Sequence, residues 1–497
     1  MSERPDIPRD LPKPPEGRGL ILAAAVMATF MTAVESTIVA TAMPTIVADL
    51  GDFHLFSWVF GVYLLMQAVT VPIYGRLADL YGRKRVFFFG AGLFLVGSTL
   101  CGFASSMTML IACRALQGLG AGAVQPVAYT IVGDIYTPAE RARVQGYLSS
   151  VFGVAAIAGP SLGAFLVEHA SWSIVFWVNL PIGAVAIAMI AAFLREPPRS
   201  RPRQIDYLGS ALLMLGGGVL MMALLQAGNL SRPAVASCVV FGGTALAALA
   251  WHERRIAEPM LPLKLWKNRV VALCSLGGFA IGAVMMGISA FLPIYVQAVM
   301  GGSAGAAGIA LGAMSVSWAA ASVAAGRVMI HATYRVTALI GGVALILGSG
   351  ALIGMTPTSG IVWAASGAFL VGVGMGFSNT TYLVSVQSVV SWQERGAATS
   401  ANMFMRIVGQ TTGAALFGAV LNASLAHHAP EARSMVEQLM EPALRRQLGG
   451  VEIEQMTAAI AAGIRNIYLV VALFAVAALT VATRFPGRLS ARGSQNG

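Results

Sequence analysis

Ionisable side chains are scarce inside the apolar runs of this chain, and the few present define the chemistry it can do. Glu35 stands 15 residues into the run 20–45, and Arg114 opens the segment RALQGLGAG within the run 108–133. A charge at the centre of a bilayer costs at least ~2.5–3.5 kcal/mol, so each of these residues needs a physical reason. A carboxyl in such a setting is neutral while sealed from water and ionised once water or a cation reaches it, which makes Glu35 a proton switch. The other reading of Glu35 is a structural acid hydrogen-bonded to a neighbouring helix. Arg114 lies ~9 Å below one membrane surface at 1.5 Å per residue, deep enough to reach Glu35 or to organise water around it. Alternatively, it caps backbone carbonyls in a packed core.

Asn402, Arg406 and Gln410 recur every four residues and therefore share one helix face. A polar stripe in a membrane helix faces the protein interior or a water-filled cavity. Substrate contact and an interhelical hydrogen-bond lattice both fit it. The segment GRLADLYGRKR places Gly75 and Asp79 before a turn at Gly82, followed by Arg83, Lys84 and Arg85. An acid there can rest against the positive end of a neighbouring helix, a contact worth ~0.3–1 kcal/mol that works as a latch if one conformation makes it and another does not. Gly153, Gly159 and Gly163 allow close helix approach, and Pro160 kinks the helix they share. Candidate cavity residues are Trp58, Tyr63, Gln67, Met285, Met286, Tyr295, Asn379, Tyr382, Asn402, Arg406 and Gln410. Aromatic faces can hold cations, and flexible Met suits varied shapes.

The elements that position these residues follow from composition. Of 497 residues, 57% are hydrophobic and 11% charged, where a soluble domain carries about a quarter charged, so a soluble enzyme is excluded. Fourteen apolar stretches, at 20–45, 55–76, 86–104, 108–133, 143–167, 172–194, 207–227, 233–251, 270–297, 304–329, 336–355, 361–387, 397–422 and 466–484, are expected to span a membrane as helices. An even number puts both termini on one side. Of the 32 Lys and Arg, 25 then fall on the side of the termini, five on the other and two, Arg114 and Arg406, within spans. The excess of cations makes that side cytoplasmic. Dispersal of the positive charge over many short loops excludes a nucleic-acid surface.

Four scattered cysteines imply no disulfide framework and no metal site. No GxxxxGK[ST] pattern is present, so no nucleotide or other cofactor is expected and ATP is not the energy source. The expected organisation is an N-terminal cytoplasmic tail at 1–19, a six-helix bundle at 20–194, a basic linker at 195–206, an inserted pair at 207–251, a linker at 252–269, a second bundle at 270–484 and a C-terminal tail at 485–497. An external loop at 423–465 has Met435, Val436, Leu439, Met440 and Leu444 at helical spacing. It reads as a hairpin resting on the membrane surface or as a docking point for a periplasmic adaptor protein.

Read together, these segments resemble the fourteen-spanner drug:proton antiporters of the major facilitator superfamily, the EmrB/QacA-type pumps. The resemblance runs over nearly the whole chain. VESTIVATAMP at 34–44 is similar to the family's first-helix motif, with Glu35 where Asp is usual, and GRLADLYGRKR is similar to its loop signature. RALQGLGAG resembles the fourth-helix Arg motif, and GVAAIAGPSLGA the antiporter motif with Ala164 in place of its last Gly. WVNLPIG at 177–183, DYLG at 206–209, LPIYVQAVMG at 292–301 and RGAATSANMFMRIVGQ at 395–410 resemble segments of the fourteen-span branch.

The resemblance implies an all-α membrane protein of two six-helix bundles around a central cavity, with 207–251 as two extra helices. It implies that Glu35 carries a coupling proton assisted by Arg114, that Asp79, Arg83 and Asp134 latch the cytoplasmic side against the start of the thirteenth span, and that Gly159 and Pro160 help prevent leak. The expected function is proton-driven export of lipophilic, neutral or cationic compounds across the plasma membrane. A dedicated exporter of one endogenous metabolite and, less favoured, a membrane sensor or scaffold are the alternatives. One acid suffices energetically, because a 100-fold gradient of a neutral compound costs ~2.7 kcal/mol, while one proton supplies ~2.3 kcal/mol from 100 mV and ~1.4 kcal/mol per pH unit.

Overall fold

The computed structural model describes residues 17–51, 55–196, 206–225, 230–256, 263–428 and 450–486. Apolar runs that must satisfy every backbone group internally become helices, and no strand occurs among the described residues. In chain order they are α1 (Arg18–Leu50), α2 (Phe56–Tyr81), α3 (Arg83–Gly102), α4 (Met107–Ile135), α5 (Pro138–His169), α6 (Ser173–Trp177), α7 (Asn179–Phe193), α8 (Tyr207–Leu225) and α9 (Arg232–Glu253). There follow α10 (Leu263–Trp266), α11 (Arg269–Ile294), α12 (Ala304–His331), α13 (Tyr334–Ile353), α14 (Gly360–Val389), α15 (Arg395–His428) and α16 (Gly450–Thr483).

Local sequence sets several boundaries. Ser106 and Ser303 accept hydrogen bonds at 3.2 Å from Met109 N and Ala306 N, starting α4 and α12. Thr137 and Glu140 form a reciprocal capping box at α5, with Pro138 in its first turn. Gly82 alone separates α2 from α3, and its φ of 109° lies in the left-handed region that favours glycine.

Among the described residues twelve helices are long and apolar enough to cross a membrane, so the expected fourteen spans are not all matched. The stretch α5 is helical but carries Glu140, Arg141, Arg143 and Gln145 in its first turns, and the apolar part of α8, Tyr207–Ala223, is short at 17 residues. The expected loop 423–465 is also shorter than its reading, because α15 continues to His428 and α16 starts at Gly450. Residues 429–449, most of both tails (1–16 and 487–497) and the linker segments 197–205 and 257–262 lie outside the described residues.

Helices α1–α7 pack around a core that includes Phe87, Phe94, Ile38 and Phe176, and α11–α16 around one that includes Ile288, Val371, Phe417 and Tyr468. The two groups meet along α5–α12, where the rings of Phe152 and Trp318 stack at 6.0 Å. They meet again where α4 and α2 approach α14 and α15, through Val71, Tyr129, Leu383 and Met403. The pair α8–α9 is joined at one end by His252 Nε2 and Asp206 Oδ1 at 2.9 Å. Met221 of α8 packs on Leu65 and Ala68 of α2 and on Phe404 and Ile407 of α15.

Candidate functional site

The first bundle encloses the acid singled out by sequence. Glu35 has no exposed surface, and its carboxylate pairs with Arg114 Nη1 and accepts from Asn179 Nδ2. Arg114 also donates to Gln117 Oε1 at 2.7 Å and, through Nε, to Val59 O at 3.2 Å, while its guanidinium lies 4.1 Å from the centre of the Tyr63 ring. Ser98 ties the rest together: it accepts from Gln117 and from Asn179, both at 3.1 Å, and donates to Phe176 O at 2.7 Å. The five side chains Glu35, Ser98, Arg114, Gln117 and Asn179 are buried and come from α1, α3, α4 and α7. A change of charge at Glu35 is therefore felt by four helices at once.

Sequence reasoning brought Glu35 to Arg114 but assigned nothing to Gln117, Asn179 or Ser98. Gln117 and Asn179 lay inside quoted segments and were neutral, so the cost of burying a charge did not flag them. Tyr63, expected in an open cavity, is 2% exposed beneath Arg114.

The small residues of α5 serve two neighbours. A Cβ on Gly159 would overlap Thr37 Oγ1, and one on Gly163 would lie 3.0 Å from Ile38 O, so α5 presses on α1 just past Glu35. Thr37 Oγ1 donates to Ala155 O at 3.1 Å across the same contact. Gly153 instead faces α12, where a Cβ would come within 2.9 Å of Ser315 O. The side chain of Pro160 lies outside the described residues.

At the face where α2 ends and α15 begins, Asp79 accepts from Gly396 N at 3.0 Å and Ala397 N at 2.7 Å, the first free N–H groups of α15. Arg83 pairs with Asp79 at 2.8 Å and Asp134 at 2.9 Å, donates to Trp392 O at 2.8 Å and lies over the Trp392 ring. Arg395 completes the set on Asp134 Oδ1 at 2.6 Å. Gly75 permits the crossing, since a Cβ there would overlap Ser400 Oγ. The structure thus brings Gly75, Asp79, Gly82, Arg83 and Asp134 together against α15. Arg395, and Arg141 on Gln387 O at 3.5 Å, join them without having been anticipated.

The stripe on α15 divides. Asn402 donates to Cys274 O of α11 at 2.7 Å, an interhelical bond, whereas Arg406 donates to Asn379 Oδ1 at 3.3 Å and Gln410 reaches Met285 Sδ at 3.2 Å. Trp58, Gln67, Met285, Met286, Arg406 and Gln410 are partly exposed. Tyr295 and Tyr382 are not brought to them. Their hydroxyls donate to Met355 O and Ala478 O inside the second core, because an aromatic ring in an apolar helix packs as readily as it lines a cleft.

A family model described as the Major Facilitator Superfamily matches residues 25–414. "Multidrug resistance protein 3" of Bacillus subtilis is 37% identical over 404 residues, covering 80% of this chain and 79% of that protein. "Multidrug transporter protein MdtP" of the same organism is 35% identical over 414 residues, covering 82% and 76%. The solved human organic anion transporter MFSD10 superposes with a TM-score of 0.62 over 92% of this chain and 99% of that one, at 15% identity, a likeness of fold alone. Two bundles of apolar helices, with a charge cluster buried in the first, and these matches together define a multi-pass membrane transporter. This chain belongs to the major facilitator superfamily, among relatives named for multidrug resistance and multidrug transport. An adaptor docking at 423–465 finds no support in these relatives.

Proposed function

We propose that this chain is a proton-coupled antiporter of the fourteen-span branch, exporting lipophilic small molecules of neutral or single charge across the plasma membrane, with both termini cytoplasmic and α8–α9 as the inserted pair. The observation that supports the coupling is the burial of Glu35 with Arg114, Asn179, Gln117 and Ser98. In this reading Glu35 gives up its proton when it pairs with Arg114, the arrangement seen here. Protonation from outside weakens that pairing, leaves the guanidinium held by Gln117 and the Val59 carbonyl alone, and loosens the helices the cluster joins. The latch at Asp79, Arg83 and Asp134 then opens, the proton leaves to the cytoplasm, and cargo binds before the return.

The test is uphill efflux of a lipophilic dye from proteoliposomes under an imposed pH gradient. Glu35→Gln, which keeps the shape and the Asn179 contact, is expected to abolish accumulation against the gradient while leaving dye binding in place. Accumulation by Glu35→Gln equal to the unmodified protein would sink the proposal.

A further inference from the structure

Arg114 and Arg406 are the two cations expected inside spans, and the structure treats them differently. Arg114 has its carboxylate in Glu35, and Arg83 and Arg395 at the latch have theirs. Arg406 has none. It stands fourteen residues into the 30-residue stretch Trp392–Leu421, near the middle. Among the described residues its hydrogen-bond partner is a neutral amide oxygen, Asn379 Oδ1, and its Nε is buried without an acceptor. A buried Nε with an unmade hydrogen bond on an unpaired guanidinium is unfavourable, and an anion supplies both the acceptor and the counter-charge.

Its position is imposed by the backbone. Helices α11 and α15 cross so closely that a Cβ on Gly282 would overlap the Arg406 carbonyl and one on Gly409 would overlap Phe279 O, so α15 cannot turn to carry Arg406 elsewhere. Met403 and Ile407 beside it pack against Val71, Ala128 and Tyr129 of the first bundle, and Tyr129 is its electrostatic neighbour. The residue therefore sits where the two bundles meet. One turn further along, Gln410 and Met285 offer a polarisable wall beside it.

We infer that Arg406 recognises anionic cargo: the transported compound is an amphipathic acid whose carboxylate or similar oxyanion supplies the missing counter-charge, with its apolar body against Met285 and its neighbours. This rests on the exporter reading and names the charge of what is exported. A guanidinium holds a carboxylate through two parallel hydrogen bonds, a match that neither a neutral nor a cationic compound offers. Because Glu35 and Arg114 cancel one another, Arg406 leaves the interior positive, and protonation of Glu35 makes it more so. The neutral or cationic range expected from sequence weighed the buried acid and left this cation out. Exchange of one proton for one monoanion moves two charges inward per cycle, so uptake of drive from the membrane potential is greatest for acids.

The test uses pyrenebutyrate, its methyl ester and pyrenylbutyl-trimethylammonium, which share one apolar body. Binding is read by fluorescence on the purified full chain in lipid nanodiscs, and uphill transport on proteoliposomes. The acid is expected to bind about tenfold or more tightly than the ester, as a charge-assisted hydrogen bond implies, and the ammonium compound most weakly. Arg406→Gln should bring the acid down to the ester's affinity and leave the ester unchanged, whereas Arg406→Lys retains part of the preference. A merely structural role would weaken all three ligands together, in either variant. Ester or ammonium binding as tight as the acid's, or an Arg406→Gln variant that still prefers the acid, overturns the inference. If the acid binds through Arg406 but no gradient drives its transport, the exporter reading fails while this one stands. If the ammonium compound is pumped uphill and the acid is not, the reverse holds.

Discussion

Glu35 and Arg114 are each within 1% of complete burial, so their energies are set by one another more than by solvent. Removing only one partner strands a charge, a change that costs about 3–5 kcal/mol in buried pairs, while replacing both is near neutral. Arg114→Gln is therefore expected to lower the thermal midpoint of the detergent-solubilised protein markedly. Glu35→Gln combined with Arg114→Gln should recover most of that loss while transport stays absent. A double variant as unstable as the single one would show that packing, and not charge, dominates the site. The convergence of these two residues was legible in the sequence because a charge in an apolar run announces its cost. Ser98, a small hydroxyl with no such cost, holds three bonds of the network and gave no signal. Nor did any pattern separate Tyr382, which is core, from Tyr63, which lies under Arg114.

At the scale of helices, glycines decide how the elements approach. Gly159→Val would drive a branched side chain into Thr37 and separate α1 from α5; overpacking of this kind costs about 1–3 kcal/mol. A lower thermal midpoint and reduced uphill efflux are expected, whereas Gly92→Val on α3, where a Cβ meets nothing within 4 Å, should leave both unchanged. The latch makes a separate prediction. Asp79→Asn removes the charge facing the first N–H groups of α15 and one partner of Arg83. Losing ~1.4 kcal/mol there raises the open population about tenfold. This can be read as faster alkylation of a cysteine placed at Ser400, which is fully buried behind Gly75. An unchanged rate would remove Asp79 from the closure. Helix positions were legible from hydropathy, but ends were not: polar residues at Glu140–Gln145 and at 450–465 continue helices that apolar content alone would have stopped.

For the whole molecule, the relevant quantity is charge moved per turnover. A single coupling acid gives ~2.3 kcal/mol per elementary charge per 100 mV, so a neutral compound exchanged for one proton carries one charge inward. Clamping the potential to zero in proteoliposomes while keeping one pH unit should lower the attainable gradient of a neutral dye from about 500-fold to about tenfold. A limit indifferent to potential would mean that another ion compensates the proton.

The placement of α8 carries a consequence of another kind. Its methionines lie over both α2 and α15, helices that belong to opposite halves of the molecule. At that contact α8 lies across the seam like a gasket. Any parting of the two halves there must slide at least one of those helices along the covering helix.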